Sequence, residues 1–336
     1  MAFLWTVSTV STCHKCLCCS QKRSRRNACL FLSPNTFWKV RYQATVQKIW
    51  ANLDAFQQAV TGEWKGFEAL FDPETGSAIE VPLTSLPDEF LDWNVKPLGY
   101  ESWNSTVVRN HQLYRKHSRI LPSVSFDADT VDLETEIYRY NLQEEEGFLF
   151  LADGSYSKGP VSFRDAKVGM PHIFEFCLVA SSGAPMRYLF RFSVDIQRCK
   201  LWGDVQVFLE YRDGEFCDGN AIASGSGFTE GFSSDMPLSE NLIQGEWYPK
   251  PVQYLYPSGY VDEQPHGPIV VDKFASLPRQ LVLLPGNVYV KCNCSDEQSW
   301  NLEVGHVSTE GRWISFHRKY VDDRLILCFQ RICCKA

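Results

Sequence analysis

His172, Glu175 and Cys177 lie within one short stretch and are the residue types of a base, an orienting carboxylate and a nucleophile. In a strand, side chains alternate, so Glu175 and Cys177 share a face and His172 points to the other. Core or rim roles are therefore expected for all three. His306 and His317 fall on neighbouring predicted strands and could meet across a hairpin, but no third metal ligand stands near them. His111 and His117 flank a basic stretch (Arg109, Arg115, Lys116 and Arg119) that could meet an anionic group, although a solvated turn is the plainer reading. The phosphate-cradling patterns G-x-x-x-x-G-K-[ST] and G-x-G-x-x-G are absent, as is the nucleophile elbow G-x-S-x-G. Enzymatic activity stays open, a non-catalytic role is preferred, and any cofactor is unknown.

The composition narrows the classes further. The chain has 336 residues, 44% of them apolar, and a net charge of −7. That suits one large or two ordinary domains with a sizeable core, and it excludes wholesale disorder and collagen-like structure. The acidic balance argues against a general nucleic-acid binder. Aromatic residues are abundant (10 Trp, 14 Tyr and 22 Phe), which favours strands over helices. Residues 1–53 contain no Asp or Glu and eight Lys or Arg, with Ser and Thr crowding the start. This is transit-peptide composition. Residues 1–44 are expected to be a chloroplast transit peptide, with a mitochondrial one as the alternative. The acid-free stretch set aside, the rest carries −15.

The leader holds five of the thirteen Cys, and its His14–Cys19 run lacks the second, distant ligand pair of a zinc site. The other eight, Cys177, Cys199, Cys217, Cys292, Cys294, Cys328, Cys333 and Cys334, sit mostly in apolar runs and are expected to be buried thiols. Cys292 and Cys294 would share a strand face and form the candidate regulatory disulfide. No run approaches the roughly 18 uncharged apolar residues that a membrane-spanning helix needs, so no transmembrane segment is expected.

Val46, Ile49, Trp50, Leu53, Phe56 and Val60 make one helical stripe ending at Gly62. A second short helix is expected from Ser85. Otherwise the chain reads as strands at 64–71, 134–142, 148–151, 156–163, 172–180 and 186–195, with Asp153-Gly154 as a hairpin turn. Tyr188, Phe190, Phe192 and Val194 alternate with Arg187, Arg191 and Asp195, the pattern of an antiparallel, half-solvated sheet. A further strand carries Val205, Val207, Leu209 and Tyr211. Residues 213–244 read as a Gly/Ser-rich linker. Strands resume at 252–256, 281–284, 288–292, 300–307 and 313–320. The domains expected are a leading helix and barrel at 45–212, the linker at 213–244 and a second barrel-like unit at 245–336.

Gly62-Glu63-Trp64 opens the first strand series and Gly245-Glu246-Trp247 opens the second. A glycine lets the chain turn tightly before a tryptophan that closes the barrel end. Gly-x-Trp after a short helix, followed by an up-and-down strand series, resembles the lipocalins of the calycin superfamily. More closely, the chain is similar to an uncharacterised two-module family of cyanobacteria and plastids. Residues 52–67, 150–160, 174–178 and 284–290 carry that resemblance, which runs from about 47 to 320. It implies β-barrels and a plastid or cyanobacterial setting, and it implies no established activity. The tail 325–336 departs from the family's charged closing strand, so the second barrel is expected to be smaller, with its completeness undecided.

The fold expected is thus all-β: an antiparallel calycin-like barrel, then a second barrel-like domain. A small barrel can hold one small ligand. The lumen candidates are Trp64, Phe67, Tyr138, Tyr140, Phe174, Phe176, Tyr188, Phe190, Phe192 and Tyr211. An aromatic lumen suits a hydrophobic ligand of the tetrapyrrole, carotenoid or lipid class, and side chains that simply fill the barrel are the bland alternative. The function expected is non-catalytic ligand binding in the chloroplast stroma or at the thylakoid. An assembly factor with a plastid protein partner, or a barrel enzyme or pigment lyase, are the alternatives.

Overall fold

Tight turns between alternating strands build two antiparallel sheets in this computed structural model. Described are residues 52–335 apart from 125–131, 144–146, 164–169, 181–184, 221, 223–230, 251, 257–258, 264–267, 272–279 and 296–298. The expected leader therefore lies outside the described residues. These belong to one compact unit, Gln43–Ala336.

The helix α1 (52–60) leads into β1 (Gly62–Phe71). The first sheet continues with β2 (Tyr100–Arg109), β3 (Gln112–Ile120), β4 (Leu133–Asn141), β5 (Phe148–Phe150), β6 (Tyr156–Lys158), β7 (His172–Val179), β8 (Met186–Asp195) and β9 (Lys200–Gly214). Its spatial order is β4-β3-β2-β1-β9-β8-β7-β6-β5. Between β1 and β2 lies the short helix α2 (Asp88–Asp92); it starts three residues later than expected, with Pro87 at its N-cap position, while Ser85 belongs to a preceding 3-10 turn.

The second half opens with α3 (Glu240–Ile243) and β10 (Gly245–Pro249), followed by β11 (Val252–Tyr256), β12 (Gly259–Glu263), β13 (Ile269–Val271), β14 (Gln280–Leu284), β15 (Val288–Ser295), β16 (Ser299–Val307), β17 (Arg312–Val321) and β18 (Arg324–Lys335). Its sheet runs β12-β11-β18-β17-β16-β15-β14, and β10 bridges β13 and β18. Both sheets curl into half-barrels. The tail after Tyr320 is thus a central strand of the second module, not a loose end. Asp322 and Asp323, both at positive φ (49° and 59°), make the two-residue turn that sends it back along β17.

The Gly-x-Trp repeat is repeated in geometry as well as in sequence. Gly62 (φ 149°) and Gly245 (φ 119°) adopt backbone angles that a side chain would strain. Trp64 Nε1 donates to the Val60 carbonyl at 3.1 Å, and Trp247 Nε1 donates to the Ile243 carbonyl at 2.7 Å. In each module the indole locks the helix end onto the first strand. Both tryptophans are buried.

The two modules stand back to back. Phe174, Phe176, Tyr188, Phe190 and Phe192 lie on the outer face of the first sheet, in one core with Val288, Val290, Leu302, Val304, Ile314, Phe316 and Tyr320 of the second. Phe176 meets Phe316 edge-on at 6.1 Å, and Phe163 stacks on Tyr320 at 4.4 Å. Polar contacts fix the register. The Arg318 guanidinium, fully buried, donates to the carbonyls of Gly147, Gly159 and Pro160 and to Ser157 Oγ at 3.0–3.3 Å. Gln330 Nε2 donates to Ser155 Oγ at 3.0 Å and to Asp153 at 3.3 Å. The stretch 150–160 therefore serves the joint between modules.

A disulfide, Cys199–Cys294, crosses the same joint with a Cα separation of 6.0 Å. This corrects the expectation of eight thiols, and the candidate Cys292–Cys294 disulfide falls with it, because Cys294 pairs with Cys199 and Cys292 stays free. Burial pushes the thiols of Cys177 and Cys292 up to about 12, which keeps them protonated and inert. Within the expected linker, Phe232 sits against Phe67 and Phe71 in the shared core, so this part of 213–244 is packed structure. Among the described residues no helix is long and apolar enough to cross a membrane.

Candidate functional site

The concave face of the first sheet is identified by contacts that only a curled sheet allows. β3 and β7 are separated by four intervening strands, yet Arg115 of β3 meets Glu175 of β7 at 3.3 Å. Tyr140 of β4 donates to the same carboxylate at 3.0 Å, and Tyr156 of β6 donates to it at 2.6 Å. At one end this lumen is closed by apolar packing, where Leu53, Phe56 and Val60 of α1 sit against Val108, Leu113, Phe148, Phe150, Leu189 and Phe208.

Above that floor the lumen is polar. Burial pushes the Glu175 carboxyl up, but Arg115 and the two tyrosine hydroxyls outweigh this and hold it below the usual carboxylate range. Arg187 Nε donates to Glu210 at 2.6 Å, and its guanidinium lies 3.8 Å over the Trp64 ring. Asn104 Nδ2 also donates to Glu210. Glu68 accepts from Arg119 Nε and lies 2.7 Å from His117 Nε2. The basic stretch read as a solvated turn is in fact β3, and its alternate residues Arg115, His117 and Arg119 line this lumen. Arg115 and His117 are each only 2% exposed. Strand alternation from Leu113 could have revealed this. The signal was masked because the residues placed inward are the charged ones.

Five buried polar atoms of β2 and β3 on this face have no hydrogen-bond partner within the protein: Ser102 Oγ, Asn104 Oδ1, Arg115 Nε and both ring nitrogens of His117; Glu68 Oε2 of β1 lacks one as well. Asn104 pairs across the ladder with His117, Thr106 with Arg115 and Ser102 with Arg119, so the four side chains stand on adjacent positions of β2 and β3. Buried groups of this kind cost free energy unless something meets them.

The lumen candidates divide between the two faces. Trp64, Tyr138 and Tyr140 face the lumen, and the Arg115 guanidinium lies 4.5 Å over the Tyr138 ring. Phe174, Phe176, Tyr188, Phe190 and Phe192 form the core between modules. Phe67 and Tyr211 line a surface groove of about 490 Å³ with Leu209, Gly231 and Phe232. Phe67 and Trp64 are three positions apart on one strand and so point to opposite faces.

Glu175 and Cys177 share a face as the spacing predicts, and Tyr156 stands opposite Cys177 in the ladder. The carboxylate is saturated by three donors and the thiol is inert, so the pair is built to hold its place. His172 is half-buried beside Phe163. His306 and His317 do not pair. His306 stacks on Tyr188 at the joint, whereas His317 faces the second lumen, 2.8 Å from Ser315 Oγ and 3.6 Å from Glu303. Tyr289 also donates to Glu303, at 2.5 Å, and Lys291 donates to it at 3.2 Å. No group of three metal-binding side chains occurs among the described residues.

The fold and site define a two-module, antiparallel β protein of curled half-barrels, each with a buried charge-paired lumen. No family model matches the chain, and no curated protein matches it. The chain is similar in fold to the crystal structure of a protein of unknown function from the DUF3598 family of Nostoc punctiforme. The two share 15% sequence identity with a TM-score of 0.53, and the match covers 84% of this chain and 98% of that one. At that identity the likeness shows the fold alone.

Two consequences are measurable. Replacing Arg115 with Met strands the Glu175 charge and should cost about 3–5 kcal/mol, whereas combining it with Glu175→Gln should restore at least about half of that loss. Denaturant titration of the single and double variants checks this. Burial, with Arg312 nearby, lowers His306 from 6.5 to about 4. The folded state therefore keeps the imidazole neutral while the unfolded chain binds a proton below pH 6.5. Stability should be full above that pH and fall by about 3 kcal/mol as pH drops towards 4. His306→Phe, which keeps a ring beside Tyr188, should remove its share of that slope in unfolding curves measured from pH 7 to 4.

Proposed function

We propose that the protein is a non-catalytic, calycin-like binding protein whose first half-barrel holds a small amphiphilic ligand. The observation that carries this reading is the row of orphaned buried polar atoms on β2 and β3, facing a lumen that also presents Trp64, Tyr138 and Tyr140. Such groups are tolerated where a bound molecule supplies their missing partners. A wholly apolar ligand of the carotenoid kind has less support, because five of the aromatic residues that suggested it are spent between the modules. An enzyme or pigment lyase is also less favoured, since the buried Cys177 thiol is protonated and Glu175 is fully engaged.

A protein partner is a second reading with its own observation. Leu83, Leu91 and Trp93, on the connection between β1 and β2, are 60%, 44% and 62% exposed, and large apolar residues left in solvent on one connection suit a docking contact. For location, we propose a plastid protein. The acid-free, Arg- and Ser-rich leader supports this, and the cyanobacterial source of the similar structure is compatible with it.

Purification of the full chain under native conditions, followed by denaturation and mass spectrometry of what is released, tests the binding reading. A stoichiometric molecule with one apolar and one polar part is expected, and its repeated absence counts against a binding cup. A fluorescent reporter fused after residues 1–50 should enter plastids, and cytosolic fluorescence would remove the plastid assignment.

A further inference from the structure

The polar layer of the first lumen is electrically closed. Glu175 faces Arg115, Glu210 faces Arg187, and Glu68 faces Arg119. At the rim, Arg191 stands 4.0 Å from Glu136 and donates to the Tyr138 hydroxyl at 2.7 Å. Each of these carboxylates thus has its own guanidinium, and a further cation on this side is Lys158, whose ammonium lies 4.0 Å over the Tyr140 ring. A ligand entering with a full charge would surrender its hydration without a free counter-charge to meet it.

The orphaned atoms say what the ligand must offer instead. Asn104 gives its Nδ2 hydrogens to Glu210, so its Oδ1, fixed in orientation by that contact, can only accept. His117 Nε2 lies 2.7 Å from Glu68, yet neither ring nitrogen has a hydrogen-bond partner, so the ring can offer a donor or an acceptor according to its tautomer. Arg115 Nε can only donate, while the Ser102 hydroxyl can do either. These side chains follow one another across the β2–β3 ladder. Trp64, Phe208 and Tyr138 supply rings along the same face: Phe208 packs edge-on to His117 at 5.1 Å, Trp64 lies under Arg187 and Tyr138 under Arg115.

We propose that the first lumen takes an uncharged, planar ligand that carries a hydrogen-bond donor beside a carbonyl acceptor, the edge of an amide or lactam. The donor group faces Asn104 Oδ1, the carbonyl faces Arg115 Nε, and the His117 ring stands beside them on β3. Ser102 adds a further bond to whichever group lies nearest. This assignment rests on the binding-cup reading above and names its ligand class.

Isothermal titration of the full-length protein with 2-naphthamide, 2-naphthoate and 2-naphthylmethylammonium separates charge from shape, since the three share one ring system. The amide should bind at least about ten-fold more tightly than either ion, the worth of one or two buried hydrogen bonds. Ser102→Ala deletes a hydroxyl with no partner in the protein. It should leave the melting temperature of the free protein unchanged or higher and weaken the amide about five-fold. Binding of either ion as tightly as the amide overturns the uncharged class while leaving the cup intact. Binding of none of the three overturns the class as well, and the cup itself falls only if the native protein also releases no ligand on denaturation. Wild-type affinity in the Ser102→Ala variant shows that the amide sits elsewhere and overturns the assignment.

Discussion

Around the joint, strands β7 and β8 and the middle of β9 are buried on both faces, and that constraint governs the rest. A half-barrel has an inner face because it curls and an outer face that water would ordinarily cover. Here the outer faces are used to join the modules: Phe174, Phe176, Phe190 and Phe192 of one meet Val290, Val304, Ile314 and Phe316 of the other. Burying a large apolar side chain is worth roughly 1.5–3 kcal/mol, so this joint is a principal source of cohesion. It also explains why the aromatic residues are so numerous, because a structure with two lumens and a shared joint has three interiors to fill.

Once the apolar side chains go outward, alternation sends the intervening residues inward. On β8, Arg187 and Arg191 interleave with Tyr188, Phe190 and Phe192, and on β7 Glu175 interleaves with Phe174 and Phe176. The lumen therefore inherits charge. A buried charge is tolerable only when paired, which is why Glu175, Glu210 and Glu68 each face a guanidinium from another strand. These pairs cross the lumen or the sheet, and together with the Trp64 lock at the helix end they hold the half-barrel's curvature. Polar atoms on the same face that no pairing reaches are where the structure departs from the economy of a purely structural core.

Much of the strand content was legible in the sequence. Asp153-Gly154 marks a hairpin, and the clean alternation of 186–195 marks β8. The two Gly-x-Trp units announce two modules opened by the same device. Other elements were hidden by their composition. β2 and β3 carry Ser102, Asn104, Thr106, Arg115 and His117 on their buried face, and polar residues in alternate positions look like a solvated surface when read in one dimension. The final strand was obscured because Asp322-Asp323 lacks the glycine that usually signals a two-residue turn, although two aspartates also tolerate positive φ.

By itself the sequence determined which side chains share a face, since period-two alternation is a local property of an extended chain: Glu175 must accompany Cys177, and the grouping of Trp64 with Phe67 among the lumen candidates was already at odds with that alternation. It also determined the antiparallel class and the paired tryptophan locks, because turn chemistry and a glycine at positive φ act within a few residues. Which face is inside was decided only by the tertiary structure. That choice depends on a second module, distant in sequence, that covers the aromatic face and joins it through Arg318 and Cys199–Cys294. A strand with two buried faces reads the same whichever side becomes the lumen. Only the packing of one sheet against the other turned the aromatic row into a joint and the charged row into a candidate binding site.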